Sequence, residues 1–357
     1  MSSNIKRGGN PPISDEDLQK TVEVYVRCGF NVSATGRDMG LSRRAVQKRL
    51  DHAKDRGILP DGVVRLPANA PNKRPVIELI DQQKKAFARK RSKGTWRKPR
   101  DIELHYEGPF MVILFGDKHV DDDGTDLETL DYWIDHLDAA DRRYGIALGD
   151  WSNNWLRFLG FLYSDQETSK DEGWELVKHY IDKMGPDLLA GCGGNHDNWN
   201  DGIRLMHEMM ARHQVVHEAD ALRIRFKQKG VDKPITIGIR HNFPGNSIYN
   251  PVHGVMRSAI FGWRDTILAG GDKHISGHAS VKDPDTGFLT RCEQVASFKL
   301  LDRYADEKGF MDKHVTPAVA YVLRPWFGED DPRRAVRFED PADARAFLDQ
   351  ARLDFEG

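Results

Sequence analysis

Leu188-Leu189-Ala190-Gly191-Cys192-Gly193-Gly194-Asn195-His196-Asp197 is the stretch on which the reading of this chain turns. An apolar run passes through glycines into Asn, His and Asp, side chains of the types that hold divalent metals. The glycines let the backbone turn sharply and bring short side chains inward. The same construction recurs. Met111-Val112-Ile113-Leu114-Phe115 runs into Gly116-Asp117-Lys118-His119, and Ile146-Ala147-Leu148 into Gly149-Asp150. Ile267-Leu268-Ala269 runs into Gly270-Gly271-Asp272-Lys273-His274, and Ile235-Thr236-Ile237-Gly238-Ile239 ends at Arg240, followed at once by His241. Each run has the length and composition of a buried strand. Between them lie helical patterns such as Leu127, Leu130, Ile134 and Leu137, behind the capping box Thr125-Asp126-Leu127-Glu128. Strands alternating with helices predict an α/β fold, whose strands present their carboxyl ends along one edge.

The chain has 357 residues, 39% hydrophobic and 30% charged, the composition of a globular protein with a sizeable core. No apolar run approaches the roughly 20 residues of a membrane helix, and the first residues show no secretory h-region. Three scattered cysteines, Cys28, Cys192 and Cys292, make neither a disulfide framework nor a cysteine-rich zinc site. The expectation is a cytoplasmic protein of a bacterial or phage-infected cell with no membrane partner. The net charge of −2 hides an asymmetry: residues 1–100 carry 23 Lys+Arg against 10 Asp+Glu, and the rest 30 against 45. A basic N-terminal third on an acidic body predicts a polyanionic partner for the former.

Asp-x-His, Gly-Asp, Gly-Asn-His-Asp, His and a final Gly-Asp-x-His, in that order and each at a strand end, resemble the signature of the calcineurin-like metallophosphoesterases. The resemblance spans residues 110 to about 325. It implies a two-layer β-sandwich flanked by helices and a site for two divalent metal ions; the Asp, His and Asn donors suit Mn first, with Fe, Zn, Ni or Mg as alternatives. By the same resemblance, Asp117, His119 and His274 hold metal one and Asp150 bridges both ions. Asn195 and His241 hold metal two, with Asp272 at its remaining position. His196 is then the group that stabilises the transition state or protonates the leaving oxygen, with Asp197 orienting it. Paired ions of this kind activate a water and clamp an in-line phosphoryl displacement. The departure from the pattern is Asp272, where the family has a histidine; a carboxylate there favours harder ions. The second motif, Gly149-Asp150-Trp151-Ser152-Asn153, lacks the Val-Asp-Arg-Gly of the protein phosphatases, so the chain resembles the nuclease and phosphodiesterase branch, phage and prophage members included. Of the aromatics between Asp150 and Asn195, most are expected in a core, with Trp151 and Trp155 placed to wall a cleft. His207, His213 and His217 read as surface or core histidines.

Residues 13–58 read as a helical module. Residues 32–50 resemble a Fis-like helix-turn-helix, with Gly36 where the helices cross, Gly40-Leu41 in the turn and Ser42 capping the second helix. Exposed Arg43, Arg44, Gln47 and Lys48 are its candidate DNA-binding residues. Residues 59–108 read as a basic linker. It holds a helix from Val76, then nine basic and no acidic residues over 84–100, with Trp96 among them as a base-stacking candidate. The metallophosphoesterase domain is assigned to 109–325, and 326–357 to a hairpin and helix extension. Together these predict a metal-dependent DNA phosphodiesterase or nuclease guided by a DNA-binding module. The alternatives are a small-nucleotide phosphodiesterase and a DNA-binding regulator whose metal site has decayed.

Overall fold

The computed structural model describes residues 13–59, 75–92, 98–155, 160–164, 166–301 and 316–356. The Pro/Gly/Ala-rich stretch 60–74, Trp96 and Phe158 lie outside them. The chain divides into two compact units, Met1–Arg91 and Ser92–Gly357.

The first unit begins with three short helices, α1 (Asp15–Arg27), α2 (Val32–Met39) and α3 (Arg43–Asp55). Each start is capped by a side-chain oxygen, from Ser14, Asn31 and Ser42. Leu18 of α1 packs with Ala53 of α3, and Tyr25 with Val46 and Leu50. Gly36 is required where α2 meets the following turn, because a Cβ there would lie 2.7 Å from the Leu41 carbonyl oxygen. A fourth helix, α4 (Val76–Ser92), leaves Val76, Ile77 and Phe87 exposed.

The second unit stacks two six-stranded mixed sheets. One sheet contains, in spatial order, β1 (Arg100–Leu104), β6 (Ala221–Gln228), β7 (Ile235–Arg240), β8 (Ile267–Gly270), β10 (Leu289–Gln294) and β9 (Gly277–Lys282). The other contains β12 (Ala335–Phe338), β11 (Ala318–Leu323), β2 (Phe110–Phe115), β3 (Arg143–Ala147), β4 (Leu188–Cys192) and β5 (Val216–Glu218). Alternation along β2 decides the layering. Phe110, Val112 and Leu114 enter the seam between the sheets and meet Phe226, Ile237, Ile239 and Ile267 of the facing sheet. Met111, Ile113 and Phe115 point outward under helices α5 (Leu127–Ile134), α7 (Lys170–Met184), α8 (Gly202–Arg212) and α10 (Pro341–Glu356); α6 (Gly160–Tyr163) is a single turn. On the far side, α9 (His253–Ile260) covers Leu268 and Cys292 with Val255 and Ala259. The result is a β-sandwich with helices on both outer faces, the fold class the sequence implied.

Segments on either side of 109–325 pair into the sandwich. Arg100–Leu104 pairs in parallel with β6, so the end of the expected linker supplies an edge strand. The expected C-terminal extension is also built in: β12 pairs antiparallel with β11, and Ala344, Leu348 and Ala351 of α10 are buried.

Neighbours β2, β3 and β4 run parallel, as do β7 and β8. Their carboxyl ends bring both sets of polar turns together.

Candidate metal centre

The polar turns hold their shape at a backbone cost. His119, Asp150, Asp272 and His274 all have positive φ, between 41° and 69°, in the region L side chains rarely adopt. Strain of this kind is retained where the surrounding structure fixes it, commonly at functional sites. Two glycines permit the close approach: a Cβ on Gly194 would overlap Asp150 Oδ1, and one on Gly271 would overlap Asp117 Oδ1.

All the residues assigned to the two metals converge. Asp150 Oδ2 lies 3.1 Å from His241 Nε2, 3.8 Å from His119 Nε2 and 3.9 Å from His196 Nε2. His274 Nε2 is 3.3 Å from Asp117 Oδ2, which also accepts the Asp272 N–H at 2.9 Å. Asn195 Oδ1 is 3.1 Å from His241 Nε2, and Asp272 Oδ1 is 3.6 Å from the same nitrogen. Two groups could hold an ion: Asp117, His119 and His274, and Asp117, Asp150 and His241. Asp272 falls in neither, and Asn242 Nδ2 donates to its Oδ2 at 2.5 Å.

By distance alone, Asp117 is common to both groups. The nitrogen of His241 that approaches Asp117 is Nδ1, at 3.6 Å, but Nδ1–H is donated to the Leu148 carbonyl at 2.8 Å. That bond occupies Nδ1 and turns Nε2 towards Asp150. Asp150 is therefore the carboxylate with an imidazole Nε2 on either side, from His119 and His241.

The residues fit a cation. Both ring nitrogens of His119 and Asp117 Oδ1 are buried with no hydrogen-bond partner among the described residues. Leaving such atoms unsatisfied costs about 1–3 kcal/mol each, which a metal would offset. Electrostatics agree. Burial alone would raise the Asp150 carboxyl, yet the His241, His196 and His119 rings carry it well below the usual range. Burial opposes charge on His241, and Asp150 and Asp117 nevertheless hold that ring well above its ordinary value. Burial drives His119 the other way, towards the neutral form a metal takes.

The role expected of Asp197 is corrected. Its carboxylate does not reach the His196 ring. Oδ1 accepts the Trp151 N–H at 2.9 Å and Oδ2 the Gly194 N–H at 3.0 Å, tying the turn after β3 to the turn after β4. In a tight turn an Asp side chain is pulled to nearby amides before it can reach a neighbouring ring. Burial, then the Asp150 charge, pushes Asp197 up to about 6. The His196 ring is held instead by the main chain: Nδ1 donates to the Asn153 carbonyl at 2.8 Å, and Trp199 stacks at 4.5 Å between centroids.

Other contributors had escaped the sequence reading. Asp121 accepts the Asn153 N–H at 2.7 Å and the Ser152 hydroxyl at 2.8 Å. Asp122 accepts Asn153 Nδ2 at 2.9 Å and pairs with buried Lys299 at 2.8 Å. The signal available was the acidic run 121–123 directly after the His119 turn. Lys118 is also wholly buried, donating to the Gly116 and Gly149 carbonyls at 2.7 and 3.3 Å, with burial lowering it to about 8. Trp151 packs 4.4 Å from its ammonium, and Trp151 and Trp155 are core residues rather than a cleft wall.

Arg43, Arg44, Gln47 and Lys48 are exposed on α3, in the other unit. Among the histidines away from the centre, His217 on β5 faces His207 with 3.2 Å between Nδ1 atoms, and burial lowers it to about 3. No helix among the described residues is long and apolar enough to cross a membrane.

No family model matches the chain, and no curated protein does. Solved structures that resemble it include a single mutant of Vps29 from Entamoeba histolytica, with 12% identity, 64% of this chain and 99% of that one covered, and a TM-score of 0.32. Another is the calcineurin-like phosphoesterase YfkN from Bacillus subtilis, with 9% identity, 70% and 98% coverage, and a TM-score of 0.35.

Proposed function

We propose that this chain is a dinuclear-metal phosphoesterase of the calcineurin-like type that hydrolyses DNA phosphodiesters and is brought to them by its N-terminal helices. One observation carries the reading: the turns after β2, β3, β4, β7 and β8 bring Asp, His and Asn side chains into one cluster, in which Asp117, His119, Asp150 and His241 are buried and the His119 nitrogens and Asp117 Oδ1 have no hydrogen-bond partner among the described residues.

Asp117, His119, Asp150 and His274 would hold one ion, and Asp150, Asn195 and His241 the other, with Asp272 at its margin. Bound ions would supply Lewis acidity and an activated water at neutral pH. The chain's own task is to deliver and remove protons and to hold the phosphate. His196, with Nδ1–H fixed on the Asn153 carbonyl, turns Nε2 towards Asp150 and so towards the reacting phosphate. It is placed to protonate a leaving oxygen. DNA as substrate is favoured by the α3 surface, where Arg43, Arg44 and Lys48 project from a capped helix. The deciding experiment is purified protein with a panel of divalent ions against labelled single- and double-stranded DNA and a cyclic nucleotide. Metal-dependent cleavage of DNA over the cyclic nucleotide supports the proposal. The reverse preference selects a small-nucleotide phosphodiesterase, and no turnover of any diester overturns the enzyme.

A further inference from the structure

The strand that delivers His241 also delivers a charge with no role so far. Ile235, Ile237 and Ile239 of β7 are buried in the seam, so Arg240 leaves on the outer side. It lines a recess of about 280 Å³ with Asn195, His241, Asn242, Asp272 and Asp220. That recess takes in the Asn195–His241 side of the cluster and none of His119, His196 or His274. Arg240 is the one arginine or lysine among its described walls. It is half-buried, yet its guanidinium makes no hydrogen bond or ion pair among the described residues. The arginines on the neighbouring strand behave otherwise: Arg223 forks onto Asp265 at 2.8 and 2.9 Å, and Arg225 onto Asp101 at 2.7 and 3.0 Å. Of the two acids in the recess, Asp272 is engaged by Asn242, and Asp220, beside the cross-strand partner Ala221, makes no ion pair with Arg240 among the described residues. A half-buried guanidinium is costly without a counter-charge, and its planar fork matches phosphate oxygens.

We propose that Arg240 binds the phosphate next to the scissile one in a nucleic-acid strand, and so selects substrates that carry a second phosphate. The proposal rests on the phosphoesterase reading for the position of the scissile phosphate, at the ligand cluster. Arg240 projects from the adjacent residue on the outer side, so it meets the following phosphate rather than the same one. The amides of Asn195 and Asn242 line the recess between, where a sugar would lie.

The test separates binding from turnover. Calorimetry on the full chain, with and without added divalent metal, measures TpT, its 5′-phosphorylated form pTpT, and thymidine 5′-diphosphate. Wild type should bind pTpT at least about tenfold more tightly than TpT, the worth of one charge-assisted contact. In Arg240→Met that preference should collapse to within about twofold, and Arg240→Lys should fall between, since the charge stays and the fork is lost. Circular dichroism and melting confirm that each variant is folded; if Arg240→Met is not, Arg240→Lys alone decides by losing part of the preference. An unchanged preference in the folded variant overturns the proposal. So does an Arg240-dependent gain for thymidine 5′-diphosphate equal to that for pTpT, which would place the ligand among small diphosphates. Hydrolysis of pTpT by metal-loaded protein is followed in parallel. Arg240-dependent affinity with no turnover would sink the phosphoesterase reading and leave Arg240 as a phosphate-binding residue.

Discussion

The ring of His196 is set by the backbone of Asn153, 43 residues earlier in the chain, through an Nδ1–H to carbonyl bond of 2.8 Å. His196→Ala should leave bound metal nearly intact and slow turnover by about 10²–10⁴, the usual worth of a general acid. Asp121 and Asp122 hold Asn153 in place, so Asp121→Asn should lower kcat with little change in metal content. Metal analysis beside single-turnover rates checks both. Loss of the ions in His196→Ala would reassign it as a ligand.

Removing a ligand should act differently. Asp150→Asn and His119→Ala should each abolish metal-dependent hydrolysis and reduce bound metal, because Asp150 faces nitrogens from both sides and both His119 nitrogens lack any other partner among the described residues. Elemental analysis of each variant should show less than the wild-type metal content.

Asp272 stands at the edge of the cluster, with Asn242 on one oxygen and His241 Nε2 3.6 Å from the other. A carboxylate beside the second ion favours Mn or Mg over Zn, and its charge makes a nucleophilic hydroxide harder to form. Activity is expected to prefer Mn with an alkaline optimum, and Asp272→His should move the optimum downward and improve use of Zn. Two ions bound and an unchanged pH–rate profile in Asp272→Ala would show that this carboxylate is not a ligand.

His217 supplies a pH signature away from the centre. Burial holds its folded-state value at about 3, against 6.5 for an ordinary imidazole, so the unfolded chain takes up a proton that the folded chain refuses. Stability attributable to this group is present above pH 6.5 and drains as pH falls towards 3, by at most about 1.4 kcal/mol per pH unit. Denaturant titrations of His217→Asn at pH 7 and pH 5 should show a smaller acid-induced loss than wild type; an equal loss would mean that His217 already carries its proton in the folded protein.

The N-terminal helices are testable by deletion. Removing residues 1–58 should weaken duplex binding while sparing hydrolysis of a small chromogenic diester. Duplex affinity of the intact chain should fall steeply with salt. Equal affinity with and without the helices would remove them as a DNA reader.

What the sequence disclosed was local chemistry. The convergence of Asp117, His119, Asp150, His241 and His274 was legible because each stands at the end of an apolar run, four of them beside a glycine turn and His241 directly after Arg240, a pattern complete within about eight residues. Asp197 could not, because adjacency to His196 in sequence says nothing of which way a carboxylate turns inside a tight loop. The pairing of Asp122 with Lys299 joins segments far apart in the chain and leaves no local trace. Strand β1 was hidden by its charges. Arg100, Asp101 and Glu103 mask the period of two in Ile102 and Leu104, and only the facing strand, whose Arg225 and Lys227 answer Asp101, explains why so polar a segment pairs.

The ligand cluster draws Asp117, Asp150 and Asn195 from one sheet and His241 and His274 from the other, and the Asp272 amide reaches Asp117 across the seam. Neither sheet carries the full set, so the cluster comes into being only when the two layers have docked. Its members are distant along the chain, and contacts of such high sequence separation form late, after loop closure has been overcome. A cation that recognises the complete set therefore rewards the finished sandwich and nothing earlier on the route to it, adding about 2.7 kcal/mol at a hundredfold excess over its dissociation constant. Release of a bound metal on denaturation would then time the parting of the two layers, read without any substrate.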